Sequence, residues 1–274
     1  MNARKLSPLS LEIGLLAALL VHYHQALLWI AGTWRDATYE SWGFLALGAL
    51  LLRRVPPRRA APSRPHLLGL AGVLLLEVAC APLALNVLSA LLGVVSLHLW
   101  AVAFRSYPGR WYAQAQLWLG LLSLPAVYWA NIVAGYHLQH MVTRLAAAGL
   151  SLYGWPVTSS GTVLQLPAMT VAVDSTCSGL KLLYTGVLFG VLAGPTAGVG
   201  RAFFYWAGLL GLLLAANVTR VMSLAAAHLH LGRPVGETAH EAMGLVAFAM
   251  ACALALLLSR ILERPRPTAC EVHA

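Results

Sequence analysis

The sequence predicts an all-α polytopic membrane protein of about eight transmembrane helices, with both termini on the inner side. A small extended or β-hairpin element is expected at the outer surface before the sixth span. Three observations predict this. The 274 residues are 59% hydrophobic and only 10% charged, against about 25% charged in a soluble domain. Mean hydropathy is +0.74, and the apolar residues fall in runs near the roughly 20 residues needed to cross a bilayer. The basic residues occupy alternate gaps between those runs.

Taken in order, the expected spans are about 9–30, 37–52, 66–84, 86–104, 113–133, 178–198, 202–224 and 239–259. The first follows Met1 to Lys5, the charge layout of a signal peptide. Its apolar run is too long for a secretory h-region and more spans follow, so it reads as an uncleaved span. Pro82 marks a turn between the third and fourth spans, and Pro125 and Pro195 are candidate breaks in the fifth and sixth. With the N-terminus inside, 13 of the 18 Lys and Arg residues fall on inner segments; only Arg35, Arg144, Lys181, Arg220 and Arg233 do not. That bias sets the N-in, C-in orientation. The Arg- and Pro-rich link Arg53 to Pro65 then reads as an inner topogenic anchor without a packed core or chemistry of its own.

The division that follows is 1–133 for the first membrane helices, 134–176 for an outer-surface segment, 177–259 for the last three spans and 260–274 for a cytoplasmic tail. The outer segment opens helix-like at Tyr136 to Leu150. After the turn signals Gly154-Trp-Pro and Ser159-Ser-Gly161 come Val163 to Leu166 and Met169 to Val173, short and bounded by Gly and Pro as strands are.

The net charge of +9 is spread over membrane flanks and makes no stripe for nucleic acid. Cys80, Cys177, Cys252 and Cys270 have neither CxxC nor metal-ligand spacing. His137 with His140, and His228 with His230, lack a carboxylate or thiolate to complete a ligand set. His240-Glu241 is not HExxH, because position 244 is glycine. Ser160-Gly161 lacks the Gly-x-Ser-x-Gly elbow. No metal or cofactor is expected.

Chemistry concentrates where polar segments enter the last three spans. Ser175 and Thr176 are good N-caps, which would place Cys177 in the first turn of span six. There the free N–H groups and Lys181, one turn along, favour the thiolate. Span seven carries Asn217-Val-Thr-Arg220 near its outer end, and span eight opens with Glu237-Thr-Ala-His240. Adjacent antiparallel helices pack together, so the three ends can converge. A cysteine can attack a carbonyl, a histidine can move protons, and an arginine can stabilise an oxyanion. Singly, each has a plainer reading as a packing thiol, a snorkelling arginine or a helix cap. Glu77, an ionisable residue in span three, is a candidate partner for Arg220 or another cation.

At these residues the sequence resembles the exosortase/archaeosortase family of membrane-embedded transpeptidase-like sorting enzymes. The resemblance rests on Cys177-Ser178-Gly179, Asn217-Val-Thr-Arg220 and His240-Glu-Ala-Met-Gly244 in that order. It implies Cys177, Arg220 and His240 as a catalytic triad, with Asn217 and Gly179 as supporting motif residues; Lys181, by its charge, and Asp174, close enough to the thiol to orient His240 or oppose the thiolate, are supporting candidates on physical grounds. It also implies substrates: secreted proteins with a C-terminal signal of PEP-CTERM type, comprising a short motif, a transmembrane helix and a basic tail. Cleavage through a Cys177 thioester on the outer face of the cytoplasmic membrane would pass the new carboxyl end to a surface acceptor, lipid or polysaccharide. The Asp174-Ser-Thr run departs from the smaller apolar residues frequent in the family. The competing reading is a transporter or lipid-handling protein that binds an anionic substrate with Arg220, Glu77 and His240.

Overall fold

A computed structural model describes residues 7–36, 42–167, 169–174, 177–194, 199–231 and 237–263. It is predominantly helical, and the chain forms two compact units, Met1–Tyr128 and Trp129–Ala274. Among the described residues four helices are individually long and apolar enough to cross a membrane: Arg64–Leu83, Asn86–Phe104, Gly200–His230 and Glu241–Glu263. The number reaches six if the broken pairs Leu9–His22 with His24–Arg35, and Arg110–Leu122 with Ala126–Leu152, each count as one span. Two of the eight expected stretches fall short. Among the described residues the second forms nine helical residues and the sixth fourteen.

The first unit begins with α1 (Pro8–His22) and α2 (His24–Arg35), bent by 62° at Tyr23. No Pro or Gly stands at the break. Instead the His24 Nδ1 lies 2.8 Å from the Val21 carbonyl, occupying an acceptor close to where a continuous helix would place a backbone N–H. Tyr23 is buried and its hydroxyl meets Ser96 Oγ at 2.9 Å. α3 (Gly43–Leu51) follows, then α4 (Arg64–Cys80), which ends in a 3-10 turn at Ala81–Leu83. Ala84, in the left-handed region at φ 48°, completes the reversal near the expected Pro82 turn. α5 (Asn86–Phe104) packs against α1, α2, α4 and α6 (Arg110–Leu122) and is the centre of this unit. Pro125 stands at the break between α6 and α7 (Ala126–Ala130), where its sequence predicts one; Pro195 lies outside the described residues.

The link after α3 is better organised than its composition predicts. The buried Glu12 carboxylate bonds Arg58 Nε at 2.8 Å and Arg105 Nη2 at 2.5 Å. Arg58 and Arg105 also pair as an antiparallel bridge, flanked by Ser106 N–H to Pro57 O at 2.8 Å and Arg59 N–H to Phe104 O at 2.9 Å. A carboxylate taken out of water needs cations, and here the loop and the end of α5 supply them. The link is therefore pinned, contrary to the expectation of a plain anchor.

In the second unit a π-helical turn, Asn131–Gly135, leads into α8 (Tyr136–Leu152). The expected hairpin is present with one strand more: β1 (Thr158–Ser160), β2 (Val163–Gln165) and β3 (Thr170–Ala172) form an antiparallel sheet in that order. Leu164, Leu166 and Val173 join Val142, Ala146 and Leu150 of α8 in a core that also takes in Cys177, Val221 and Ala225. Three helices complete the unit, α9 (Leu180–Ala193), α10 (Val199–Leu231) and α11 (Glu237–Glu263). They form an antiparallel set. Gly186 and Gly190 of α9 admit Leu213 and Leu209 of α10 in reverse register, and Arg201 at the start of α10 donates to Leu262 O near the end of α11 at 3.2 Å. Tyr205, Leu209, Leu213, Ala251 and Ala255 fill the space between them.

Candidate active site

Helix α9 starts three residues later than its N-cap signals imply. Ser175 and Thr176 lie outside the described residues, and the helix is preceded by Gly179 at φ 84°. A left-handed residue interrupts the helical path, so Cys177 stands in a turn ahead of α9 and not in its first turn. Lys181 is therefore not one helical turn along from Cys177 within α9, contrary to what the sequence implies. Lys181 is half-buried in the opening turn of α9.

The turn has its own capping. Asp174 Oδ1 accepts the Cys177 N–H at 3.0 Å, and the Asp174 carbonyl lies 3.1 Å from the same nitrogen. Ser178, 1% exposed, accepts the Leu180 N–H on its Oγ at 3.3 Å. Asp174 thus holds the backbone of the cysteine. In the sequence Ser178 has no role beyond its place in the Cys-Ser-Gly motif, although a hydroxyl two residues before a helix is a local backbone-bonding signal.

Two contacts through glycine link this turn to the next two helices. Asn217 of α10, 2% exposed, donates from Nδ2 to the Cys177 carbonyl at 3.1 Å. Its amide also occupies the space beside Gly179, where a Cβ would lie 2.6 Å from Nδ2. One turn along α10, Arg220 passes across Gly244 of α11, where a Cβ would lie 3.1 Å from Nε. Gly244 is four residues after His240, on the same face of the helix, and His240 occupies the first turn of α11; only its backbone is described. The three sequence motifs are therefore neighbours, joined by Asn217 on Gly179 and by Arg220 on Gly244.

Arg220 also lines a cavity of about 270 Å³ between α10 and α11, with Thr219, Ser223, Met243, Val246 and Met250. It combines one guanidinium and two hydroxyls with a sulfur-rich apolar wall. Cys177, 9% exposed, belongs to the apolar core described above and is not part of this cavity's lining. The remaining polar residues have local settings. Glu77 lies in the first unit, with Oε2 3.0 Å from His22 Nε2 and Oε1 accepting from Ser89 Oγ at 2.7 Å. Its partners among the described residues are thus His22 and Ser89, both of the first unit. Tyr136 packs against the rings of His137 and His140, and His230 sits edge-on to Trp155.

Apolar helices long enough to span a bilayer, with polar residues gathered from three successive segments, define a multi-pass membrane protein with a built polar site. A family model described as transmembrane exosortase matches residues 13–257. The chain belongs to the transmembrane exosortase family. No curated protein and no solved structure matches it.

Proposed function

We propose that this exosortase-family protein is a cysteine transpeptidase or protease that cleaves C-terminal sorting signals of membrane-anchored secreted proteins. The observation that carries the reading is the pair of glycine contacts, which brings the Cys-Ser-Gly, Asn-x-x-Arg and His-x-x-x-Gly segments together. In the proposed reaction His240 takes the Cys177 proton, and Cys177 Sγ attacks the scissile carbonyl. Arg220 stabilises the oxyanion, and the amine leaves with the proton returned by His240. The thioester then passes to water or to a surface lipid or polysaccharide nucleophile.

Apolar residues pack around Cys177, and the proposed base takes the thiol proton as the sulfur attacks. The site is proposed to open on the outer side of the cytoplasmic membrane, as the Lys and Arg distribution implies. A substrate anchored by its own helix meets such a site in two dimensions, which aligns the scissile bond.

The test replaces Cys177 by Ala and by Ser, checks insertion, and follows shortening of sorting-signal proteins by immunoblot. Loss of processing in both variants, with a thioester adduct trapped in the parent, is the expected result. Unchanged processing in Cys177→Ala ends the proposal.

A further inference from the structure

The first unit holds a second built cavity, of about 330 Å³, where the end of α3, the end of α5 and the start of α6 meet. Arg53, Arg54 and Arg105 line it, and no carboxylate does. Arg105 pairs with Glu12, a carboxylate it shares with Arg58, so the three arginines lining the cavity keep a net positive charge. Arg53 is held in place, with its guanidinium 4.1 Å from the centre of the Tyr112 ring, a cation–π seat that fixes a planar donor set. Its Nη1 is buried and meets no acceptor among the described residues. A buried guanidinium N–H without an acceptor is costly, and an anion in the cavity would satisfy it.

Leu50, Val55, Pro56, Trp100 and Ala101 give the cavity an apolar wall, while the polar ends of Tyr107 and Gln116 in its lining are bonded to each other; Leu51 and Leu52 beside that wall are 74% and 88% exposed. Guanidiniums at one end and hydrocarbon at the other match a phosphate ester carrying an acyl chain. We infer that this cavity binds the phosphate of an anionic phospholipid, with Arg53 and Arg54 as the headgroup ligands and Arg105 as a third cation held by Glu12. The site lies wholly within the first unit and is independent of the proposed peptide chemistry.

The experiment uses the full chain purified in neutral detergent, with native mass spectrometry of lipid retained from equal phosphatidylglycerol and phosphatidylcholine. The parent is expected to retain phosphatidylglycerol preferentially. Arg53→Ala with Arg54→Ala reduces that preference on the order of twenty-fold, each basic residue near a membrane anion being worth about a factor of five. If the double variant does not insert, Arg54→Ala alone, at an exposed position, loses about fivefold. Arg64→Ala, also exposed and outside the cavity, leaves the preference in place. Glycerol phosphate and inorganic phosphate form the soluble arm. Failure of both to displace the lipid identifies a lipid site, whereas full displacement keeps the phosphate site and assigns it a soluble occupant. Equal retention of the two lipids by the parent, an unchanged preference in the Arg53/Arg54 variants, or an equal loss in Arg64→Ala overturns the inference.

Discussion

The side-chain amide of Asn217 donates to the carbonyl oxygen of Cys177 at 3.1 Å, although 40 residues separate them. Replacing Asn217 by Ala leaves a buried carbonyl without its donor, at about 1–3 kcal/mol. Asn217→Asp sets a carboxylate against that carbonyl and is expected to be worse. Processing falls at least about tenfold in Asn217→Ala while the protein still inserts. An immunoblot of precursor shortening checks this, and parental rates in both variants would show that the bond plays no part in the site.

Gly179 carries two separate constraints, φ 84° and the close Asn217 amide. Gly154 carries only the first, at φ 81° with open space around it. Gly154→Ala therefore reports strain alone, about 1–2 kcal/mol. Gly179→Ala adds displacement of Asn217, so it lowers the melting temperature further and abolishes processing. Equal melting temperatures for the two variants would mean that the amide gives way freely.

Gly244 is the seat of the Arg220 side chain. A Cβ at 3.1 Å asks for a shift of a few tenths of an ångström, whereas a branched side chain requires the guanidinium to leave. Gly244→Ala keeps most processing and Gly244→Val loses on the order of tenfold or more, as when one oxyanion donor is removed. Alkylation of Cys177 stays at the parental rate in both, which places the defect at the arginine. Slowed alkylation would instead indicate a general disturbance.

Glu12 supports the first unit. Glu12→Ala leaves Arg105 and Arg58 without their shared carboxylate and costs about 2–3 kcal/mol. Arg58→Ala costs less, because that side chain is 46% exposed and water replaces the partner. Thermal unfolding in detergent ranks the variants. The ranking fails if Arg58→Ala is the more damaging.

Much of the site was legible because its signals are local. Cys177, Asn217, Arg220 and Gly244 stand at spacings that adjacent antiparallel helices convert into contacts. The start of α9 was not legible. Ser175 and Thr176 outrank Gly179 as N-caps by propensity, but the amide of Asn217 leaves no room for a side chain beside Gly179, and only glycine both fits and turns left-handed there. The bend at Tyr23 was equally hidden, because no Pro or Gly marks it and the contact found there is a histidine nitrogen at a backbone carbonyl. The partners of Glu12 were out of reach for another reason. A single carboxylate in an apolar run gives no indication of which two among many arginines will meet it.

Helix α9 has fourteen residues, a rise of about 21 Å, and its far end is tied to α11 by Ser259 Oγ donating to Ala193 O at 3.2 Å. A bilayer's hydrocarbon layer is about 30 Å thick. As a span, this helix would require the lipid to thin or the chain ahead of it to dip beneath the neighbouring headgroups; each ångström of mismatch costs a fraction of a kcal/mol. The acyl-chain length of the host membrane thereby becomes a variable of the proposed chemistry, because it sets how far a scissile peptide bond must descend to meet the cysteine.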